Sequence, residues 1–273
     1  MITTLIKQLG AAIFLLLSVG LYNTVLASPQ VAEAHSKAPI KKVNKKNTAH
    51  STKEYSRKSE MSSLPDLRKY PSGTPRKKAF LRAVMPYITQ QNATITAERN
   101  WLITKRYSSH FSPTEITRLK DISRRYKVAW QGNTKRIPWN TLLERVDIIP
   151  TKMAATMAAA ESGWGTSKLA RSNNNLFGMK CAKKHCNSEP GKVKGYQHYG
   201  SLKEGVNSYV VNLNTHPAYS SFRKSRAQLR KADQDVTAST MIHKLEGYSQ
   251  KGNRYNNYLF AMYQSNHNLM STY

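Results

Sequence analysis

At 273 residues the chain has room for one large domain or two small ones, and with only 39% hydrophobic residues part of it does not pack. Its 43 Lys and Arg against 15 Asp and Glu give a formal charge of +28. Self-repulsion on that scale calls for a polyanionic partner: nucleic acid, an anionic membrane surface or an acidic wall polymer.

The N-terminus narrows the choice. Lys7 is the only charge before residue 33, residues 11–21 are apolar, and Val25-Leu-Ala27 has the small residues of a cleavage site. The apolar run falls short of the ~20 residues of a membrane-spanning helix. A signal peptide over 1–27, cleaved after Ala27, is therefore predicted, with the mature chain in the periplasm. Export removes nucleic acid as a partner and favours the cell envelope, where an anionic surface can attract the chain. Residues 28–63 hold Lys, Ser, Thr, Ala and His with hardly a large aliphatic residue, and read as a disordered basic linker. That linker has eight basic residues against three Glu, so most of the excess charge, +22, falls on residues 64–273.

From residue 64 the pattern is helical. Thr74-Pro75 has the form of an N-cap with proline at the first helical position. Phe80, Leu81, Val84, Met85 and Ile88 follow at helical spacing, with a kink expected at Pro86. Ser112-Pro-Thr-Glu115 is a capping box, and 139–146 is a further short helix. Residues 64–138 thus read as a helical pre-domain packing on a catalytic domain over 139–273.

The chemistry-bearing stretch is Ala-Ala-Ala-Glu-Ser-Gly-Trp-Gly at 158–165. Small residues from 151 to 160 form a helix that neighbours can approach closely, and Ser-Gly-Trp-Gly breaks it immediately after Glu161. A carboxylate at such a break can face a cleft. Asn-Asn-Asn-Leu-Phe-Gly at 173–178 is a second turn-rich cluster. Cys181 and Cys186 suit a short disulfide in an oxidising compartment. A metal site with His185 or His198 is the lesser alternative, because C-x4-C is not the usual zinc spacing. Residues 191–199 alternate enough for a strand or hairpin. Ser201-Leu-Lys-Glu204 opens another helix, and two more are expected over 236–245 and 255–269, separated by a stop at Gly247-Tyr248-Ser.

Taken together, Ala-Ala-Ala-Glu-Ser-Gly-Trp-Gly at 158–165, Asn-Leu-Phe-Gly-Met-Lys at 175–180, the lysine-rich strand with Tyr196 and Tyr199, Ser-Leu-Lys-Glu-Gly-Val-Asn-Ser-Tyr at 201–209 and Gly-Tyr at 247–248 resemble the family 73 glycoside hydrolases. These are bacterial endo-β-N-acetylglucosaminidases of peptidoglycan, also labelled amidases, and the resemblance covers roughly residues 140–268. It implies a mainly α fold: a lysozyme-like helical lobe with a small β-hairpin lobe, and a cleft for the glycan strand. It places the general acid at Glu161 and a catalytic tyrosine at Tyr248. Protonating a glycosidic oxygen needs a carboxylic acid that keeps its proton, and desolvation beside a tryptophan favours that form. A second carboxylate is expected just before the strand, at Glu189, unless the substrate's own N-acetyl group acts as nucleophile. Glu204 is accounted for by its helix start. Substrate contacts are expected at Trp164, Asn175, Phe177 and Tyr196, with no cofactor and no metal. Two alternatives share the scaffold: a lytic transglycosylase, whose usual Gly-Leu-Met-Gln run is replaced here by Asn-Leu-Phe-Gly, and a non-catalytic peptidoglycan-binding protein.

Overall fold

The computed structural model describes residues 63–181, 189–245, 248 and 252–273. The predicted signal peptide, nearly all of the linker, Cys186 and the glycine of the 247–248 pair lie outside the described residues. Residues His50–Tyr273 cluster as one unit. The predicted pre-domain is thus part of the same body as the residues after it.

Helix α1 (Thr74–Lys105) is the longest element, about 48 Å at 1.5 Å per residue. Its N-cap is Gly73, one residue earlier than expected, and the helix runs unbroken past Pro86. Pro86 is exposed, so the carbonyl that loses its partner faces water. Helix α2 (Pro113–Arg125) starts in the capping box: Ser112 accepts from the Glu115 amide, and Glu115 accepts from the Ser112 amide. Helices α3 (Trp139–Arg145), α4 (Thr151–Ser162), α5 (Lys168–Asn173), α6 (Leu202–Thr215), α7 (Ser220–Lys231), the single turn α8 (Ala238–Met241) and α9 (Asn253–Met270) complete the order.

Helix α4 is the centre. Residues 153–159 are all buried, and four of the seven are alanines. With side chains this small, α1 on one side and α9 on the other close directly on α4. Helix α1 runs antiparallel to α4 and fixes both of its ends. At the start, Asn92 Nδ2 donates to the Ile149 carbonyl at 2.8 Å and to Thr151 Oγ1 at 3.1 Å, while its Oδ1 accepts from the Ile149 amide. At the far end, Phe80, Leu67 and Leu64 close over Gly165 so tightly that a Cβ there would lie 2.5 Å from Leu64 and 2.6 Å from Leu67.

Arginines close other helix ends by donating to their last carbonyls. Arg145 reaches Tyr126 and Lys127 after α2, Arg223 reaches Leu213 and His216 after α6, and Arg226 reaches Glu144, Asp147 and Ile148 after α3. Arg226 is fully buried, and burial pulls its guanidinium down to about 10 against the opposing charge of Asp147, so it stays cationic at neutral pH. Asp147 is buried too. Desolvation raises its carboxyl, but Arg226, Arg230 and Arg99 together outweigh that and hold it below the ordinary aspartate range.

No strand forms among the described residues, so the expected β-hairpin lobe is replaced by an irregular loop. Among the described residues one isolated antiparallel bridge forms, Lys180 with Tyr196. Gly191 and Gly195 take positive φ (80° and 78°), which interrupts the extended run. Backbone groups that a ladder would have used are instead taken by asparagine side chains, as described below. Among the described residues no helix is long and apolar enough to cross a membrane.

Replacing Asp147 with Asn should leave Arg226 buried and uncompensated and lower stability by ~3–5 kcal/mol in urea unfolding. Because the folded carboxyl sits below its unfolded value of about 3.9, the stabilisation it gives is complete above that pH and fades as pH falls through the lowered folded value. Part of the acid sensitivity of the wild type should therefore be missing from Asp147→Asn.

Candidate active site

Glu161 is the penultimate residue of α4, half-buried where the helix stops. Three consecutive residues then take positive φ: Gly163 (56°), Trp164 (55°) and Gly165 (79°). The left-handed conformation is unfavourable for Trp164, and packing holds it there. Ser162 stitches the turn: its hydroxyl donates to the Ala158 carbonyl and accepts from the Gly165 amide at 2.8 Å. Gly165 cannot gain a side chain because of the leucines above it. The carboxylate is thus carried on the most tightly packed helix and delivered at an abrupt stop.

Its two oxygens have different surroundings. Oε1 accepts a hydrogen bond from the Tyr255 hydroxyl, on α9. Oε2 faces Gly178, where a Cβ would lie 3.1 Å away, so the glycine allows the 175–180 loop to pass close to the carboxylate. Glu161 pairs with neither Lys168 nor Arg171; Arg171 donates to the Thr166 carbonyl instead.

Around Glu161 stands a row of tyrosines. Tyr248 and Tyr255 stack, with ring centroids 5.7 Å apart and planes 12° from parallel. Tyr219 tilts against Tyr248 at 6.0 Å, and Tyr258, 55% exposed, lies 6.3 Å beyond Tyr255. The Tyr248 hydroxyl donates to the Phe177 carbonyl at 3.4 Å. Burial pushes the Tyr248 phenol well above its usual value, and the charge of Glu161 adds to that. Tyr255 is raised for the same reasons, burial first and then its bond to Glu161. Both phenols therefore keep their protons and remain donors.

Other residues expected at the site are placed differently. Phe177 is only 3% exposed and lies flat on the fully buried Tyr209 at 3.9 Å, so its ring supports the loop from beneath and does not wall a cleft. Asn175, 1% exposed, spends its whole amide on backbone: it donates to the Met179 and Gln197 carbonyls and accepts from the Met179 amide. Its neighbours act alike, Asn173 on Val193 and Gln197, Asn174 on the Tyr199 carbonyl. The asparagine run sews the 191–199 loop to the end of α5. Trp164 is half-buried, meets Phe80 edge-on at 5.6 Å and has Lys77 Nζ 5.2 Å from its ring centre, which ties it to the start of α1. Tyr196 is half-buried in the bridge to Lys180.

Glu189 is exposed, 66% at the side chain, with His198 Nδ1 3.9 Å away; no hydrogen bond or ion pair joins it to Glu161, Tyr248 or Tyr255. Glu204 accepts from the Gly200 amide at 2.7 Å, a helix-start role. Cys181 is disulfide-bonded, while its expected partner Cys186 lies outside the described residues. Among the described residues no three His, Cys, Asp or Glu side chains cluster to hold a metal ion.

A half-buried glutamate thus stands at a helix break, bonded to one of a row of tyrosines and faced by a glycine of the 175–180 loop. Comparison with known proteins gives the family. Residues 138–268 match the model of the mannosyl-glycoprotein endo-beta-N-acetylglucosaminidase family, and the chain belongs to this family of glucosaminidases, the family 73 glycoside hydrolases. Along its full length it is 67% identical to "Protein bax" of Escherichia coli (strain K12), covering all of both chains. No solved structure matches it.

Asn175→Ala should leave the Met179 amide without its partner, costing ~1–3 kcal/mol, while the Met179 and Gln197 carbonyls keep the Gln197 amide and Asn173 as donors. Hydrogen exchange at the Met179 amide should rise well above that of the α4 amides, which stay protected.

Proposed function

We propose that the protein is a periplasmic peptidoglycan hydrolase that cleaves β-1,4 bonds of the glycan strand as a β-N-acetylglucosaminidase, with Glu161 as general acid. The observation that carries the reading is the asymmetry of the Glu161 carboxyl group. The Tyr255 hydroxyl donates to Oε1, so in the protonated acid the proton sits on Oε2. That oxygen lies at Gly178, where no side chain stands.

A glycosidic oxygen seated beside Gly178 receives the proton from Oε2 as its bond to C1 breaks. The sugar left behind carries positive charge shared between C1 and its ring oxygen. The protonated Tyr248 and Tyr255 keep the site polar without neutralising the newly formed carboxylate. Water then adds at C1 and gives up a proton, which restores the acid. A second carboxylate for that step is assigned to Glu189, or the substrate's 2-acetamido oxygen attacks C1 in its place. Trp164 and Tyr196 are read as contacts for the glycan. Export by residues 1–27 supports the periplasmic setting, and the membership of residues 138–268 supports the glycosidic bond as target.

Glu161→Gln should abolish wall lysis while sacculus binding and thermal unfolding stay at wild-type values. Lysis at the wild-type rate by this variant would remove the assignment. Mass spectrometry of the digest identifies the bond: reducing-end N-acetylglucosamine is expected, whereas anhydromuramic acid would mark a lytic transglycosylase and the absence of any cleavage a binding protein.

Tyr255→Phe removes a hydrogen bond to a charged group worth ~1.5–3 kcal/mol, so kcat should fall about 10- to 100-fold. KM should hardly change, because the phenol touches the acid rather than the sugar. A fall confined to KM would place Tyr255 on the substrate instead.

A further inference from the structure

On another part of the molecule, α1, α3 and α7 meet around a cavity of about 530 Å³. Five cations line it: Arg99, Arg106, Lys224, Arg230 and Lys231. Glu144 is the single acid on the lining. Asp147, buried below, is engaged by Arg99 and Arg230. Lys224 and Lys231 are exposed and make no hydrogen bond or ion pair among the described residues, so their charges are available to a ligand.

The same rim has apolar side chains in water. Ile103, on the lining, is 41% exposed, and Tyr107, in the turn after α1 and next in sequence to the lining residue Arg106, is 83% exposed. Arg106 and Asn140 also line a second cavity of about 400 Å³ that includes the half-buried Trp139. Trp139 stacks on Phe111 at 6.4 Å.

From this juxtaposition we infer that the groove between α1, α3 and α7 is a docking face for an anionic lipid surface, with Lys224, Lys231 and Arg106 on headgroup phosphates and Ile103 and Tyr107 set into the interfacial region. Clustered cations draw a protein to anionic headgroups, while exposed aliphatic and aromatic side chains gain contact in the interface. A hydrated glycan–peptide polymer would satisfy the cations but offer little to an exposed isoleucine. The inference concerns binding and does not depend on the hydrolase reading.

Sedimentation with vesicles of phosphatidylcholine, with and without phosphatidylglycerol, tests it on the mature chain. Wild type should bind only the mixed vesicles. The pair Lys224→Glu and Lys231→Glu should weaken that binding at least about tenfold. The pair Ile103→Ser and Tyr107→Ser, which leaves the charge unchanged, should weaken it several-fold. A charge-matched control reverses Lys78 and Arg82, exposed residues on α1 about 32–38 Å away along the helix from Ile103, and should lose less than threefold. Circular dichroism confirms that each variant is folded. Equal losses in the groove and control pairs would mean diffuse attraction by net charge and overturn the docking face. So would failure of wild type to bind mixed vesicles, or a groove pair that loses binding to purified sacculi yet keeps its binding to vesicles.

Discussion

The close contact of α1 with α4 is the constraint on which the rest depends. Alanines at 154, 155, 158 and 159 let the longest helix lie directly on the shortest side chains in the core. That contact is set at one end by the Asn92 amide and at the other by leucines closing over Gly165. Gly165 is four residues from Glu161, and Trp164 between them is held in a left-handed turn by contacts to Phe80 and Lys77. The family match begins at residue 138, yet the turn that follows Glu161 is braced by residues 64–80. Residues 64–105 are therefore a structural half of the site rather than an accessory.

The glutamate and its turn were legible because their determinants are local. A run of small residues gives a central helix, Gly163 and Gly165 supply left-handed backbone, and capping boxes announce the starts of helices α2 and α6 within four residues. Of the row of tyrosines, the family resemblance points to Tyr248, and nothing in the sequence singles out Tyr255. Tyr255 touches Glu161 from 94 positions away, and no periodicity on α9 marks it out from Tyr258 or Tyr263. The family resemblance implies substrate contacts at Phe177 and Asn175. The structure turns both inward, and Gly178, the plainest residue of that loop, is the one that faces the carboxylate.

The loop over 191–199 shows why alternation alone is weak evidence for a strand. The Gly195 carbonyl and the Gln197 and Tyr199 amides pair with backbone, but the Val193 amide and the carbonyls of Val193, Gln197 and Tyr199 are served by side chains of Asn173, Asn174 and Asn175. An asparagine amide presents a donor and an acceptor in the geometry of a peptide group, so three in succession can replace a neighbouring strand. The requirement that buried backbone be paired is met in either case. What differs is that the loop is registered to the end of α5, five residues before Gly178.

Positive charge in this protein has two separate uses. Arg145, Arg223 and Arg226 cap the ends of helices by donating to their final carbonyls, where the helix dipole also favours a cation. Their charge is consumed within the fold, and Asp147 offsets part of it. A guanidinium serves there better than an ammonium because its planar fork reaches two or three carbonyls at once. Lysines at 224 and 231, on the same α7 helix as the buried arginines, have no such duty. Reading total charge as a measure of affinity for polyanions therefore overstates the case. The exposed cations that lack internal partners carry the argument, and on α7 they line the groove while Arg223 and Arg226 of the same helix face inward.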